Sequence, residues 1–444
     1  MRTLKTILTT MVIFLAIFKV SAQSQLDLHL SLNSDNGVYA IGDTIKVYAS
    51  SADEFAELLS VRVDQNGTRI YTNKFVQISD KEPVLVYSNC FSKPCSINIS
   101  VGYDQDKKSS RSIGCVISPE SFKPGYTEPS DLMKFWENQI NNLRKMAIDV
   151  KTVEVEHKYS EKYVCYDVEI SMPEGNPVRG YMAMPRNSAP GTLPIAILPH
   201  AAGVSKSHCL SSVKAAVEWA KKGSGVIAFD INAHGLLNGQ PAEYYEEIEK
   251  TTLNGYQKRP LVSHEEFYFR LMYLRLVRAM DYLTSLPEWD GKRVLVRGES
   301  QGAGQAGALA ALDSRVTMAV MNVPALCDLG GLFADHRGGW PGFYSKKVKN
   351  PDTKSLYDSI LPYYDVALLL KYTKAALVIE CGFIDTTCPP ESVYSAYNNA
   401  VNAVSKTLLT YPRRTHYRVE TKYYEDWNAK VGNVREQMME DYLK

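Results

Sequence analysis

The 444-residue sequence has no excess of either charge: 50 Lys and Arg face 49 Asp and Glu, a formal net charge of +1. A general nucleic-acid binder draws affinity from surplus cations that displace counterions from phosphate, so that class is excluded. None of the 8 cysteines has the CxxC spacing that marks a structural zinc site. Past the N-terminal segment, no apolar run reaches the roughly 20 residues that span a bilayer. There is no internal repeat and no low-complexity tract. With 45% hydrophobic and 22% charged residues, the chain is not disordered, collagen-like or coiled-coil. What is left is a globular protein long enough for two domains, at roughly 100–200 residues each. Its 28 tyrosines suit a carbohydrate-facing surface and an ordinary core equally.

The N-terminus predicts export. Arg2 and Lys5 precede an apolar run from Ile7 to Phe18, Lys19 ends it, and Val20-Ser21-Ala22 offers a small-x-small cleavage site. This pattern reads as a signal peptide over 1–22, with the mature chain periplasmic or secreted. The run is too short for a membrane anchor, and no Cys stands at the cleavage region for lipid attachment. An oxidising compartment admits disulfides, and the short-range pairs are Cys90 with Cys95 and Cys381 with Cys388. Cys115, Cys165, Cys209 and Cys327 have no obvious partners. Free buried cysteines are the competing reading for all eight.

From 25 to 118 short segments alternate apolar and polar residues, as in Leu26, Leu28, Leu30 and again in Ile45, Val47, Ala49. Further runs occur at Leu59–Val63, Ile70–Val76, Val84–Tyr87 and Ile97–Val101, with turn residues such as Asn66-Gly67 between them. The spacing predicts a small antiparallel β-sandwich of Ig-like type. It serves as a packing or spacer module or as a carbohydrate-binding one. Pro119–Gly125 reads as a linker. From 124 to 444 the pattern changes: Ser130 and Asp131 open a helix carrying Leu132, Phe135, Trp136, Ile140 and Leu143. Continuous apolar runs follow at Leu193–Leu198, Gly225–Phe229, Arg293–Val296, Val316–Met321 and Ala375–Ile379. A helical stripe runs from His264 to Leu286. Apolar runs of this kind fit strands covered on both faces, which predicts an α/β fold with a doubly wound sheet.

Gly298-Glu299-Ser300-Gln301-Gly302 follows one such run and precedes a small-residue helix. In this setting G-x-S-x-G reads as a nucleophile elbow, with glycines where a Cβ would clash and a helix N-terminus aimed at a developing oxyanion. In the α/β-hydrolase order, an acid and then a histidine follow the serine. Asp385 lies just beyond the strand Ala375–Gly382, and His416 ends a loop after Thr407–Tyr411. Ser300 is thus the expected nucleophile, His416 the base and Asp385 its orienter. Glu380 and Asp365 are alternatives for the acid, and His336 for the histidine. The N–H groups of Gln301 and Ala202 are the candidate oxyanion donors, with Ala202 in the small-residue loop His200-Ala201-Ala202-Gly203. His200 is the alternative, shaping that loop through its side chain.

From about Pro124 to His416 these residues resemble the acetylxylan esterase and cephalosporin-C deacetylase group, carbohydrate esterase family seven. The resemblance rests on Phe135-Trp136-Glu137, the segment Pro287–Val294, the Gly-x-Ser-Gln-Gly elbow, Tyr363-Tyr364-Asp365 and the acid loop Gly382–Pro390. It implies removal of acetyl groups from acetylated xylan or xylo-oligosaccharides, with no metal or organic cofactor. The chain departs from the family at Asn232-Ala233-His234, where the family has Arg-Gly-Gln. It also departs at Ala202, where the family often carries tyrosine, and at His416-Tyr417, where the family ends in His-Glu. A feruloyl-type esterase or serine peptidase of the same fold is one alternative. A catalytically silent glycan-binding protein is another. The N-terminal sandwich lies outside the resemblance.

Overall fold

The period-two alternation at Leu28–Leu30, Ile45–Ala49 and Ile97–Val101 is that of strands, each with its apolar residues buried. A computed structural model describes residues 27–51, 58–78, 82–102, 110–259, 261–344 and 351–444; the expected signal peptide lies outside them. The first strands are β1 (Leu28–Leu32), β2 (Val38–Tyr39), β3 (Thr44–Ser51), β4 (Leu58–Gln65), β5 (Thr68–Gln77), β6 (Val84–Cys90), β7 (Cys95–Gly102) and β8 (Arg111–Ile117). They form two sheets, β1-β3-β6 and β2-β8-β7-β4-β5. Leu28 and Leu30, Ile45 and Val47, Val61 and Val63, and Ile97 and Ile99 all turn into one shared core, because successive side chains of a strand point to opposite faces.

Of the two readings left open for the cysteines, the free-thiol one holds, and neither short-range pair is joined. Cys90 pairs in register with Thr44 in one sheet and Cys95 with Ile117 in the other, so residues 91–94 cross between sheets and both thiols are free. Cys381 and Cys388 are also free, and both are buried. Pro119–Gly125, expected as a linker, is packed. Asn398 Nδ2 donates to the carbonyls of Pro119 and Phe122, and Phe122 lies edge-on to His336.

The larger sheet comprises β9 (Val150–Glu154), β10 (Tyr163–Ile170), β11 (Val178–Pro185), β12 (Leu193–Ile197), β13 (Ile227–Ile231), β14 (Trp289–Glu299), β15 (Met318–Asn322), β16 (Ala376–Gly382) and β17 (Ser405–Tyr411). Its order is β17-β16-β15-β14-β12-β13-β11-β10-β9. The strands from β13 to β17 run parallel and β9–β11 antiparallel. Helices α1 (Leu132–Arg144), α2 (Val213–Ala220), α3 (Ala242–Lys250), α4 (Tyr268–Leu283) and α5 (Gln301–Leu312) accompany it. Ile195, Ile197, Val294 and Val296 share a core with residues of α1, α4 and α5, while Ala196 and Leu295 face α2 and the C-terminal helix Asn433–Leu443. Both faces of β12 and β14 are covered, and this is why their sequences are unbroken apolar runs.

This is the α/β-hydrolase doubly wound sheet with an N-terminal sheet domain. The two parts touch closely. Gly114 N–H on β8 donates to the Pro412 carbonyl at 2.8 Å. A Cβ at Gly114 would lie 2.5 Å from the Phe383 carbonyl oxygen. The Arg413 guanidinium donates to the Leu30 carbonyl. Among the described residues no helix is long and apolar enough to cross a membrane.

Candidate active site

β14 ends at Glu299 and α5 begins at Gln301, which leaves Ser300 alone in the turn with φ 55° and ψ −120°. A non-glycine residue held at positive φ is strained, and the surroundings must lock it there. They do: Ser300 N–H donates to the Asn322 carbonyl, and its own carbonyl accepts from Gly304 and Ala325 N–H. The two glycines are required by proximity. A Cβ on Gly298 would lie 2.2 Å from the Gly302 carbonyl carbon, and one on Gly302 would lie 2.3 Å from the Pro199 oxygen. The start of α5 therefore rests directly on the loop after β12.

Asp385 lies in the loop after β16 and His416 in the loop after β17, and the structure brings both to Ser300. His416 Nε2 is 2.9 Å from Ser300 Oγ, and Nδ1 is 2.7 Å from Asp385 Oδ2. Asp385 is wholly buried, and its other oxygen accepts from Thr387 and Cys388 N–H, each at 2.8 Å. A carboxylate so held accepts a hydrogen bond from Nδ1–H and leaves the Nε2 lone pair facing the serine hydroxyl.

The alternatives are engaged elsewhere. Glu380 accepts from Arg414 Nε at 2.9 Å, Arg435 Nη1 at 2.5 Å and Trp427 Nε1 at 3.2 Å. Arg414 in turn donates to the His416 carbonyl, so Glu380 supports the histidine loop from beneath. Asp365 accepts from the N–H groups of Asp328, Leu329 and Ala367. Burial and the neighbouring Asp328 hold its carboxyl well above the usual range. His336 faces the carbonyls of Lys123 and Arg337, and Asp328 Oδ2 at 3.4 Å.

Among the described residues the N–H groups of Gln301 and Ala202 have no protein acceptor, as the first N–H of a helix and a substrate-facing loop allow. Their loops are fastened by side chains. His200 Nε2 lies 2.6 Å from Asp230 Oδ1 and Nδ1 lies 3.2 Å from the His208 carbonyl. Both partners are acceptors, which favours the imidazolium; burial opposes that charge, but Asp230 outweighs it and holds the His200 pKa above its usual value. His234 donates from Nε2 to the Gly203 carbonyl at 2.8 Å and accepts at Nδ1 from Tyr268 at 2.7 Å. Burial depresses its pKa to about 4. Gly203 N–H reaches the Tyr256 hydroxyl, which donates to Gln301 Oε1 at 2.6 Å. Gln305 Nε2 donates to the His200 carbonyl at 3.3 Å. Sequence reading overlooked Tyr256, Tyr268, Gln305 and Arg414. Only the unusual Asn232-Ala233-His234 carried a signal pointing to this network.

Asp385, Cys388 and His416 bring potential metal-ligand atoms within 4.8 Å of one another. The chemistry does not fit a zinc ion. The Nδ1···Oδ2 separation is that of a hydrogen bond, shorter than the about 3.3 Å between ligands sharing a tetrahedral zinc with bonds near 2.0–2.1 Å. Burial also pushes the Cys388 thiol far from the thiolate a metal would need.

Ser300 and His416 line a cavity of about 430 Å³ whose walls include Leu198, Ala202, Trp219, Arg297, Trp340 and Tyr417. A separate hollow of about 670 Å³ lies on the N-terminal sheets and contains none of the expected site residues. Residues 120–430 match the family profile described as Acetyl xylan esterase (AXE1). The chain belongs to the acetyl xylan esterase family. It is a carboxylic ester hydrolase, as its relatives are. Over 311 residues it is 33% identical to acetyl esterase Axe7A of Xylanibacter ruminicola, covering 69% of this chain and 68% of that protein. An acetyl xylan esterase from Paenibacillus sp. R4 superposes with a TM-score of 0.56 at 25% identity, over 70% of this chain and 98% of that one. Acetyl xylan esterase 1 from Thermoanaerobacterium sp. JW/SL YS485 shares the fold, with a TM-score of 0.58 at 22% identity, over 73% and 98%. The acetyl xylan esterase profile takes in the packed segment after residue 119 and leaves β1–β8 outside it.

Proposed function

We propose that the protein is a secreted serine esterase that removes acetyl groups from acetylated xylan or xylo-oligosaccharides. The observation that carries this reading is the unbroken path Asp385–His416–Ser300, whose histidine and serine line a cavity sized for a small-molecule ligand. Ser300 Oγ attacks the acetyl carbonyl carbon while His416 Nε2 takes its proton. Asp385 stabilises the imidazolium that forms. The tetrahedral oxyanion accepts from Gln301 and Ala202 N–H, each such donor lowering the barrier by roughly 2.7–4 kcal/mol. Collapse breaks the ester C–O bond, and His416 returns the proton to the departing sugar hydroxyl. Water then attacks acetyl-Ser300 by the same route and releases acetate.

The scheme uses no metal or organic cofactor. In the same reading 1–22 is a signal peptide lost on export to the periplasm or beyond. Residues 25–118 form a β-sandwich module, and 124–444 the catalytic domain. The partner is an acetylated glycan, with no nucleic acid and no membrane engaged after cleavage. The test is acetate release from acetylated xylan and hydrolysis of p-nitrophenyl acetate by wild type and Ser300→Ala. We expect activity in the first protein alone. Equal rates in both would remove Ser300 from the reaction. Faster turnover of feruloyl or peptide substrates would redirect the substrate class, and glycan binding without turnover would identify a silent scaffold.

A further inference from the structure

An acetyl ester is neutral, so its hydrolysis by the proposed machinery calls for no fixed cation beyond the transient imidazolium. Yet the cavity wall carries one. Arg297 sits three residues before Ser300 on β14 and lines the same cavity as the serine. Its Nε is buried without a hydrogen-bond partner, and among the described residues its guanidinium has no ion pair either. The Trp219 ring lies beside it, its centre 5.9 Å from the guanidinium carbon, while the Arg435 cation opposes its charge and the carboxylates of Glu436, Glu299 and Glu380 favour it from beyond ion-pair distance.

The carboxylates that act on Arg297 each have another cation closer, and Glu436 has Lys222 at 3.4 Å and Arg435 at 3.7 Å. Arg414 and Arg435 share Glu380, at 2.9 and 2.5 Å. Lys222 pairs with Glu440 at 3.1 Å. Asp230 holds His200 and the Ser212 N–H, and the partly exposed Glu299 has Arg414 at 3.9 Å. A cation kept largely from water is ordinarily paired, and an unpaired one in a cavity beside a nucleophile marks a ligand contact. The guanidinium fork matches a carboxylate through two parallel N–H donors. The adjacent indole offers an apolar face to a sugar ring.

We propose that Arg297 forms a carboxylate subsite beside Ser300, and that the acetylated glycan acted on carries a uronic acid. The inference rests on the esterase reading above and names its substrate more closely.

The test compares inhibitors of p-nitrophenyl acetate hydrolysis. Methyl glucuronoside and methyl glucoside share a ring and differ in the carboxylate, and sodium acetate supplies the carboxylate without the sugar. In wild type the glucuronoside should inhibit at concentrations at least tenfold below the glucoside and below acetate. Arg297→Met should abolish that ratio, and Arg297→Lys should retain part of it. Equal inhibition by glucuronoside and glucoside in wild type overturns the subsite without any variant. A ratio that survives in Arg297→Met also overturns it. Acetate inhibiting as well as the glucuronoside points to product capture and overturns substrate recognition. A wild type that leaves acetylated xylan intact, but shows the uronoside preference, removes the xylan reading and upholds the subsite.

Discussion

The Gly203 carbonyl accepts a hydrogen bond from His234 Nε2 at 2.8 Å, so the loop after β13 holds the loop after β12. The bond requires a neutral imidazole that donates at Nε2 and accepts at Nδ1 from Tyr268.

This sets a pH dependence. With its pKa lowered by burial to about 4 and an unfolded value near 6.5, His234 binds fewer protons folded than unfolded between those limits. Its contribution to stability is complete above about pH 6.5 and is lost as pH falls towards about 4. His234→Gln keeps a donor for Gly203 but does not titrate. Its melting temperature should fall less than that of wild type between pH 6.5 and 4. Parallel profiles would show that His234 is not the titrating group.

Asp385→Asn should lower kcat on p-nitrophenyl acetate by about 10⁴-fold, because the amide presents a donor to Nδ1 and favours the wrong tautomer. The amide oxygen still accepts from Thr387 and Cys388 N–H, so thermal unfolding should move little. Retained activity would shift the acid to another side chain.

Gly302→Ala places a methyl group 2.3 Å from the Pro199 oxygen. We expect a loss of about 1–3 kcal/mol, the usual cost of overpacking. Activity should fall further than stability requires, since the clash pushes the loop bearing Ala202 away from α5. Denaturant unfolding and kcat/KM measured together check both.

Glu380→Gln removes the buried carboxylate that Arg414 and Arg435 share, leaving them only the more distant and partly exposed Glu299 and Glu436. Breaking such a pair costs about 3–5 kcal/mol. Because Arg414 also donates to the His416 carbonyl at 3.0 Å, kcat should drop as well. A variant with wild-type melting and reduced kcat would assign Glu380 a more direct role.

Much of this was legible before any coordinates. The run Arg293–Val296 reads as a doubly covered strand because both its faces are apolar, and the elbow follows from glycine spacing. Chain order and position after predicted strands favoured Asp385 and His416 over Glu380, Asp365 and His336, and the fold brings the favoured pair within hydrogen-bond distance of each other and His416 within reach of Ser300. The strands β9–β11 were not singled out. They lie towards the edge of the sheet, with Val153 67% exposed, so a weak alternation replaces the apolar run. The fastening of the oxyanion loop was illegible for another reason. Tyr256 lies 53 residues from Gly203 and 45 from Gln301 in sequence, and no local pattern couples them. Asn232-Ala233-His234 read as a missing motif, whereas its histidine supplies the very bond that fastens the loop. The cysteine spacings left the pairing open because proximity in sequence says nothing about which sheet each residue joins.

The contacts of Gly114 with Pro412 and Phe383 give the N-terminal sheets a consequence beyond their own stability. Pro412 stands four residues before His416, and Phe383 two before Asp385. The small domain is therefore a buttress, bearing on the two arms that carry the base and its carboxylate. Severing the chain ahead of Pro119 would strip away that bearing surface, leaving the acid and histidine arms to find their positions unaided.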